Sequence, residues 1–188
     1  MRLRAKLWIG PMIAFTVLGT AGVARADDGH GQERKTIKAL DDCDPASFNQ
    51  AIGPGTCVGH GDTTFPEFIT QLQNLGRAPD WRFAPAREHV ETGTGLLVKN
   101  RGGEAHTFTQ VAHFGGGCVD ALNQILGLTP VPECTKDDLF NKTLVLPEQQ
   151  LKVHALKPGV HRFQCLIHPW MHEVVVVRAD DDHGDHDH

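Results

Sequence analysis

The chain has 188 residues, of which 40% are hydrophobic and 22% are charged, a composition that suits one globular domain with elaborations. Its formal net charge is −5 at pH 7 with neutral histidines. Removal of residues 1–26 would leave 14 basic and 23 acidic side chains, a charge of −9. Such an acidic surface argues against nucleic acid as a partner.

The first 26 residues predict a cleavable secretory signal peptide. Arg2, Arg4 and Lys6 precede an apolar run at 7–23, which ends at the small-x-small cleavage site at 24–26. An uncleaved membrane anchor is the alternative, and the glycines and the proline within the apolar run disfavour it. We therefore predict a periplasmic or secreted protein that has no membrane span once the signal is cut after Ala26.

Five cysteines constrain the mature protein. Export places them in an oxidising compartment, where structural cysteines pair, and an odd count leaves one thiol over. Pairing neighbours along the chain would join Cys43 to Cys57 and Cys118 to Cys134, leaving Cys165 free. We favour that pattern, although the sequence leaves other pairings open.

The segment 27–81 is predicted to be an N-terminal extension. It begins with a polar stretch at 27–36 that predicts disorder, and it continues through sequence rich in turn formers. One short helix is predicted over 64–75. Thr64 and Glu67 have the spacing of a capping box at its start.

The segment 82–178 predicts an all-β domain. Short runs rich in Val, Leu and Thr, separated by glycine and proline, are typical of an antiparallel sandwich or barrel. The run VVVV at 174–177 does not alternate with polar residues, which predicts a central strand buried on both faces. Between the strands, residues 115–141 predict an insertion with a short helix at 119–126.

The segment 179–188 ends in DDDHGDHDH and predicts a disordered tail. Two interpretations remain equal: a solubilising acidic tail, or a loose secondary site for Cu(II), Ni(II) or Zn(II). The tail's histidines are His183, His186 and His188.

The stretch FQCLIHPWMHE places Cys165, His168 and Met171 at three-residue intervals. Thiolate and thioether are soft ligands and imidazole is borderline, a mixture that favours copper. Blue copper centres add a second imidazole to one His and one Cys, with a long axial Met. The candidate for that second imidazole is His106, in NRGGEAHTF.

These residues carry a resemblance to a known family. Cys165-x-x-His168-x-x-Met171 resembles the ligand loop of the cupredoxins, small blue copper proteins of the plastocyanin and amicyanin type. The segment that ends at His106 is similar to the strand carrying their first ligand. The resemblance covers roughly residues 82–178, and it implies a cupredoxin-like Greek-key β-sandwich, here with an N-terminal extension and a helical and loop insertion.

The resemblance also implies a site. His106, Cys165 and His168 would be equatorial ligands, and Met171 the axial ligand, of one type 1 copper that cycles between Cu(II) and Cu(I). In many members an Asn after the first His hydrogen-bonds the Cys loop. Thr107 stands there in this chain, and its hydroxyl would take that role.

The function implied is that of an exported single-electron carrier, a monomer with redox partner proteins docking near Pro169 and Trp170. A periplasmic copper-binding or buffering protein without electron transfer is the alternative. We predict no enzyme activity, because the oxidase pattern needs a His on each side of the Cys, and Gln164 and Leu166 flank Cys165. A metal-free binding module would leave the Cys, His and Met spacing to chance.

Overall fold

The computed structural model describes residues 33–179. Three segments lie outside the described residues: the predicted signal peptide, the first part of the polar stretch at 27–36, and the tail from residue 180 onward. Within 33–179, no helix has both the length and the apolar character that crossing a membrane requires.

Strands dominate the described part of the chain, and four α-helices and one 3-10 turn lie between them. The strands are β1 Arg34–Leu40, β2 Arg82–Ala84, β3 Arg87–Glu91, β4 Gly95–Asn100, β5 His106–Thr107, β6 Thr109–Val111, β7 Leu144–Val145, β8 Gln150–Val153, β9 Gly159–Gln164 and β10 His172–Arg178. The helices are α1 Pro45–Ala51, α2 Phe65–Leu75, α3 Asp120–Leu126 and α4 Leu139–Thr143, and the 3-10 turn is Pro132–Thr135.

The strands form two four-stranded sheets and one short pair. The first sheet has the order β2-β1-β4-β8, the second has the order β3-β10-β9-β6, and β5 pairs with β7. Both sheets contribute side chains to one core, among them Ile37 and Val98 from the first and Phe163 and Val175 from the second. The predicted β-sandwich with a helical insertion is thus confirmed. Its sheets are mixed rather than purely antiparallel, because β1 runs parallel to β4 and β3 runs parallel to β10.

The N-terminal segment supplies an inner strand of the first sheet, contrary to the disorder predicted for the last residues of the stretch 27–36. β1 begins at Arg34 and lies between β2 and β4. Ile37 and Ala39 are fully buried in the core. The polar residues of this stretch predicted disorder. Pairing with two neighbouring strands and the burial of these two side chains nevertheless stabilise it as a strand. The first sheet therefore takes its strands from both sides of residue 82.

The run VVVV lies in a central strand, as predicted, because β10 pairs with both β3 and β9. The prediction that both faces are buried is only half right. Val175 and Val177 are buried in the core, whereas Val174 and Val176 on the other face are partly exposed.

The predicted helix over 64–75 is confirmed as α2. Thr64 and Glu67 form the capping box, and Gly76, in the left-handed conformation with φ 66°, ends the helix. The insertion helix is also present and stops at Gly127. The sequence analysis missed α1, although Asp44 caps it by accepting a hydrogen bond from the backbone N–H of Ser47 at 2.8 Å.

The favoured disulfide pattern is present. Cys43 is bonded to Cys57, and Cys118 is bonded to Cys134. Cys165 is a free, buried cysteine.

Candidate metal centre

Three of the four predicted ligands meet at one end of the sandwich. His106 begins β5, Cys165 follows the end of β9, and His168 lies in the loop that leads to β10. The Cys165 Sγ atom lies 4.0 Å from His106 Nδ1 and 3.8 Å from His168 Nδ1, and the two Nδ1 atoms are 3.3 Å apart. All three residues are buried, and they group as a potential metal site.

The spacing of these donor atoms fits a metal ion. A circle through three atoms separated by 3.3, 3.8 and 4.0 Å has a radius of about 2.2 Å. Bonds from metal to imidazole nitrogen and thiolate sulfur run from about 2.0 to 2.3 Å. A single ion in the plane of the three atoms would therefore reach all of them without moving the side chains.

The loop that carries Cys165 and His168 is closed by its own backbone. The N–H of Cys165 donates to the carbonyl of Met171 at 3.1 Å, and the N–H of Met171 donates to the carbonyl of His168 at 2.9 Å. The backbone N–H groups of Thr107 and His168 each point at Cys165 Sγ from 3.4 Å. These contacts hold the sulfur in place without a metal.

Met171 is buried and packs in the main core beside this loop. Its backbone closes the loop, as described above. Its role as an axial ligand stays a prediction.

Thr107 contacts the loop in the way predicted for it. The backbone N–H of Leu166, next to Cys165, donates to the Thr107 hydroxyl at 2.7 Å. Behind Thr107, the buried Thr109 hydroxyl lies 3.2 Å from the Thr107 hydroxyl and 2.7 Å from that of Thr143, which is half-buried. This row of hydroxyls ends at Thr143, the last residue of α4, so this helix supports the residue that accepts the hydrogen bond from the loop.

A carboxylate that the sequence analysis missed lies behind His106. Asp41 Oδ2 is 2.8 Å from His106 Nε2, and both side chains are completely buried. Asp41 also accepts the backbone N–H groups of Gly103 at 2.9 Å and Glu104 at 3.1 Å. A carboxylate at Nε2 favours the tautomer that keeps Nδ1 free for a metal. Only its position directly after the end of β1 could have drawn attention to Asp41.

A second carboxylate, also missed, lies behind His168. Glu104 Oε2 is 3.5 Å from His168 Nε2 and accepts a 2.6 Å hydrogen bond from the Trp81 indole N–H. The loop that carries Glu104 is fixed by the side-chain amide of Asn100, which donates to the Glu104 carbonyl at 2.7 Å. Each of the two histidines thus has a carboxylate at the nitrogen that faces away from the cysteine.

The ionisable side chains in this cluster shift one another's pKa values. Burial by itself raises the pKa of Cys165, but hydrogen bonds and charge from His106 and His168 outweigh burial and hold that pKa well below its usual range. Burial lowers the pKa of His106, yet the hydrogen bonds to Asp41 and Cys165 raise it to about 9. Burial raises the pKa of Asp41, and its bonds to His106 and to backbone N–H groups bring it below the usual value. These opposite shifts in pKa both favour a thiolate at Cys165 beside an imidazolium at His106.

Burial also raises the pKa of Glu104, and this effect exceeds the opposing influence of His168 and Trp81.

Phe68 of helix α2 and Trp170 enclose His168. The imidazole is only 3% exposed. Its ring contacts those of Phe68 from α2, at 6.5 Å, and Trp170, at 5.5 Å between centroids. Pro169 is buried and Trp170 is half-buried, with its indole N–H bonded to the carbonyl of Ala78. The segment before residue 82 therefore covers His168.

No protein-family model and no curated protein matches this chain. Solved structures do: a reduced Cu(I) form of an amicyanin mutant is 21% identical, with 52% of this chain and 73% of that chain covered and a TM-score of 0.34. Oxidised plastocyanin from Dryopteris crassirhizoma is 14% identical, with 77% and 100% covered and a TM-score of 0.39. Both of these proteins are cupredoxins. A likeness this distant assigns no function, so the function is argued from the geometry of the site.

Proposed function

We propose that the protein is an exported single-electron carrier with one type 1 copper held by His106, Cys165 and His168, with Met171 as the axial ligand. One observation carries the proposal: two imidazole nitrogens and one sulfur converge to within 3.3–4.0 Å of one another in a buried pocket. Borderline nitrogen donors with one thiolate in a trigonal arrangement are typical of blue copper centres.

The protein's own residues prepare the site for that ion. Bound copper would supply a one-electron couple between Cu(II) and Cu(I). The lowered pKa of Cys165 favours the thiolate, which is the form of cysteine that binds a metal. The backbone hydrogen bonds of the loop hold both Cys165 and His168 before any metal arrives. A ligand set fixed in this way suits an ion that must change its charge without rearranging its surroundings.

The proposed redox partner docks on the groove beside the loop. Trp170 and Met171 line that groove together with Trp81, and Arg77 and Arg82 are also part of its wall. Met171 is thus the proposed ligand that borders a surface groove, whereas His168 is enclosed. The proposed docking site is next to Pro169 and Trp170, as in the interpretation of the sequence.

Copper buffering without electron transfer is the second candidate, and the enclosure of His168 favours it. In the cupredoxin family this loop histidine usually provides the exit route to partners, and here α2 and Trp170 cover it. A covered ligand slows electron exchange but does not prevent tight binding of a metal.

The visible absorption spectrum of residues 27–188 with one equivalent of Cu(II) tests the site. We expect an intense thiolate-to-copper band that a mild reductant bleaches and an oxidant restores. The variant Cys165→Ser should lose the band, and the matched control His183→Ala, in the tail, should keep it. A weak band that disappears when residues 180–188 are deleted would show that the pocket holds no copper.

The rate of electron self-exchange separates the two candidates. Mixing oxidised and reduced protein should give rapid exchange if the protein is a carrier. Exchange that is slow in the wild type would favour buffering. If the variant Phe68→Ala keeps the thiolate-to-copper band and exchanges electrons faster than the wild type, α2 is the barrier to electron exchange.

A further inference from the structure

We propose that Asp41 and Glu104 make this centre prefer a divalent over a monovalent ion, and so set a low Cu(II)/Cu(I) potential. The inference rests on the proposed function, and it adds a specificity that the ligands themselves do not provide. Both residues act through a histidine rather than on the metal, so they are positioning residues.

Asp41 is a fixed negative charge at the far side of one ligand. Its side chain is 0% exposed, and its two oxygens accept N–H groups from Gly103, Glu104 and His106 at 2.8–3.1 Å. A buried carboxylate that receives several N–H bonds is stabilised in its charged form. Because the bonded atom is His106 Nε2, the charge lies one imidazole ring away from the donor atom Nδ1.

Glu104 places a second carboxylate at the corresponding position of the other histidine. Its Oε2 atom lies 3.5 Å from His168 Nε2, and the 2.6 Å bond from Trp81 fixes its direction. The residue is 6% exposed. Because Glu104 lies farther from its histidine than Asp41 does, its effect on the bound ion should be the weaker of the two.

The charge balance inside this enclosure favours a doubly charged ion. The thiolate of Cys165 and the carboxylate of Asp41 together carry two negative charges, which a divalent ion neutralises. A monovalent ion in the same place would leave one of these two negative charges uncompensated. Burial makes such a charge costly, because the surrounding protein screens it much less than water does.

The size of the effect follows from the separation. With an effective dielectric constant of about 20, a unit charge one imidazole away changes the ratio of Cu(II) to Cu(I) affinity by about ten- to a hundredfold. Glu104 should contribute less. The affinity for Cu(II) should change more than the affinity for Cu(I), because the attraction grows with the charge of the ion.

The test compares Asp41→Asn and Glu104→Gln with the wild-type mature chain. Chelator competition measures the affinities for Cu(II) and Cu(I), and a redox titration measures the potential. We expect the affinity ratio to fall at least tenfold in Asp41→Asn, which is a rise in potential of at least about 59 mV for one electron. Glu104→Gln should raise the potential by less. Glu133→Gln is the control, since this buried carboxyl pairs with Lys136 instead of a histidine.

The outcomes separate this inference from the proposed function. A wild-type protein without a thiolate-to-copper band overturns both. A wild-type band with an unchanged affinity ratio in Asp41→Asn and Glu104→Gln overturns the inference alone. If Asp41→Asn fails to fold, Glu104→Gln decides, because its amide oxygen still accepts the Trp81 bond. A rise in potential equal to that of Glu133→Gln would also refute the role of these two residues.

Discussion

Glu173 should make the folded protein less stable as pH rises. The residue lies in β10 and is fully buried, and neither of its carboxyl oxygens has a hydrogen-bond partner of good geometry. Burial is the main cause that raises its pKa to about 8, and the nearby charge of Glu88 adds to it, while Arg87 opposes it. The native protein therefore keeps this carboxyl protonated at a pH where the unfolded chain has lost the proton.

The magnitude follows from linkage. The unfolded carboxyl titrates near its ordinary value of 4.5, so between pH 4.5 and 8 the native state binds one more proton than the unfolded state. The free energy of unfolding thus falls as pH rises through this window. At about 1.36 kcal/mol per pH unit, the loss from Glu173 amounts to about 3 kcal/mol at pH 7.

The variant Glu173→Gln tests this reasoning, since a neutral amide replaces a group that must otherwise ionise. Urea unfolding of the metal-free protein at pH 5, 6 and 7 should show similar stability for both proteins at pH 5. The variant should be more stable by a few kcal/mol at pH 7. His106, with its pKa raised to about 9, adds a loss of stability above pH 6.5 in both proteins, so the difference between them isolates Glu173.

A matched control is Glu133→Gln, because the pKa of Glu133 is lowered overall: burial raises it, but the bond from Lys136 outweighs burial. In Glu133→Gln, the free energy of unfolding should fall with rising pH as steeply as in the wild type. Parallel curves for the wild type and Glu173→Gln would refute the reasoning.

Three further predictions concern the metal centre. Thr107→Val removes the acceptor of the Leu166 N–H, so it should cost about 1–3 kcal/mol in chemical unfolding and shift the visible band, whereas Thr107→Ser should do neither. Gly102→Ala places a methyl group against the Asp41 carboxylate, so metal affinity measured by competition should fall, and an unchanged affinity would contradict this contact. Because a metal ion must displace the proton from His106, calorimetry in buffers of different ionisation enthalpy should show proton release at pH 7, with affinity rising toward pH 9.

The ligand loop could be read from the sequence because its chemistry is local. Cys165 and His168 are three residues apart, and a turn between two strands suffices to bring them together. His106 was identifiable only because the loop required a second imidazole. The disulfides and the capping box of α2 were equally local, as each joins residues close in the chain.

The carboxylates behind the histidines could not be predicted in the same way. Asp41 lies 65 residues before His106, and no spacing or periodicity connects them. Its position depends on β1, which the sequence analysis missed because only Ile37 and Ala39 are apolar and buried within a polar stretch. An isolated short strand has little local signal, and its pairing with β2 and β4 makes it part of the fold.

The enclosure of Cys165 has a consequence for how the protein matures. Four cysteines must be oxidised in pairs while the fifth stays a thiol, and in the folded chain that fifth sulfur is out of reach of solvent. Oxidants and wrong partners can attack it only before the core closes. We therefore expect the yield of protein that binds metal to depend on whether the sandwich closes around Cys165 before this cysteine enters a misplaced disulfide.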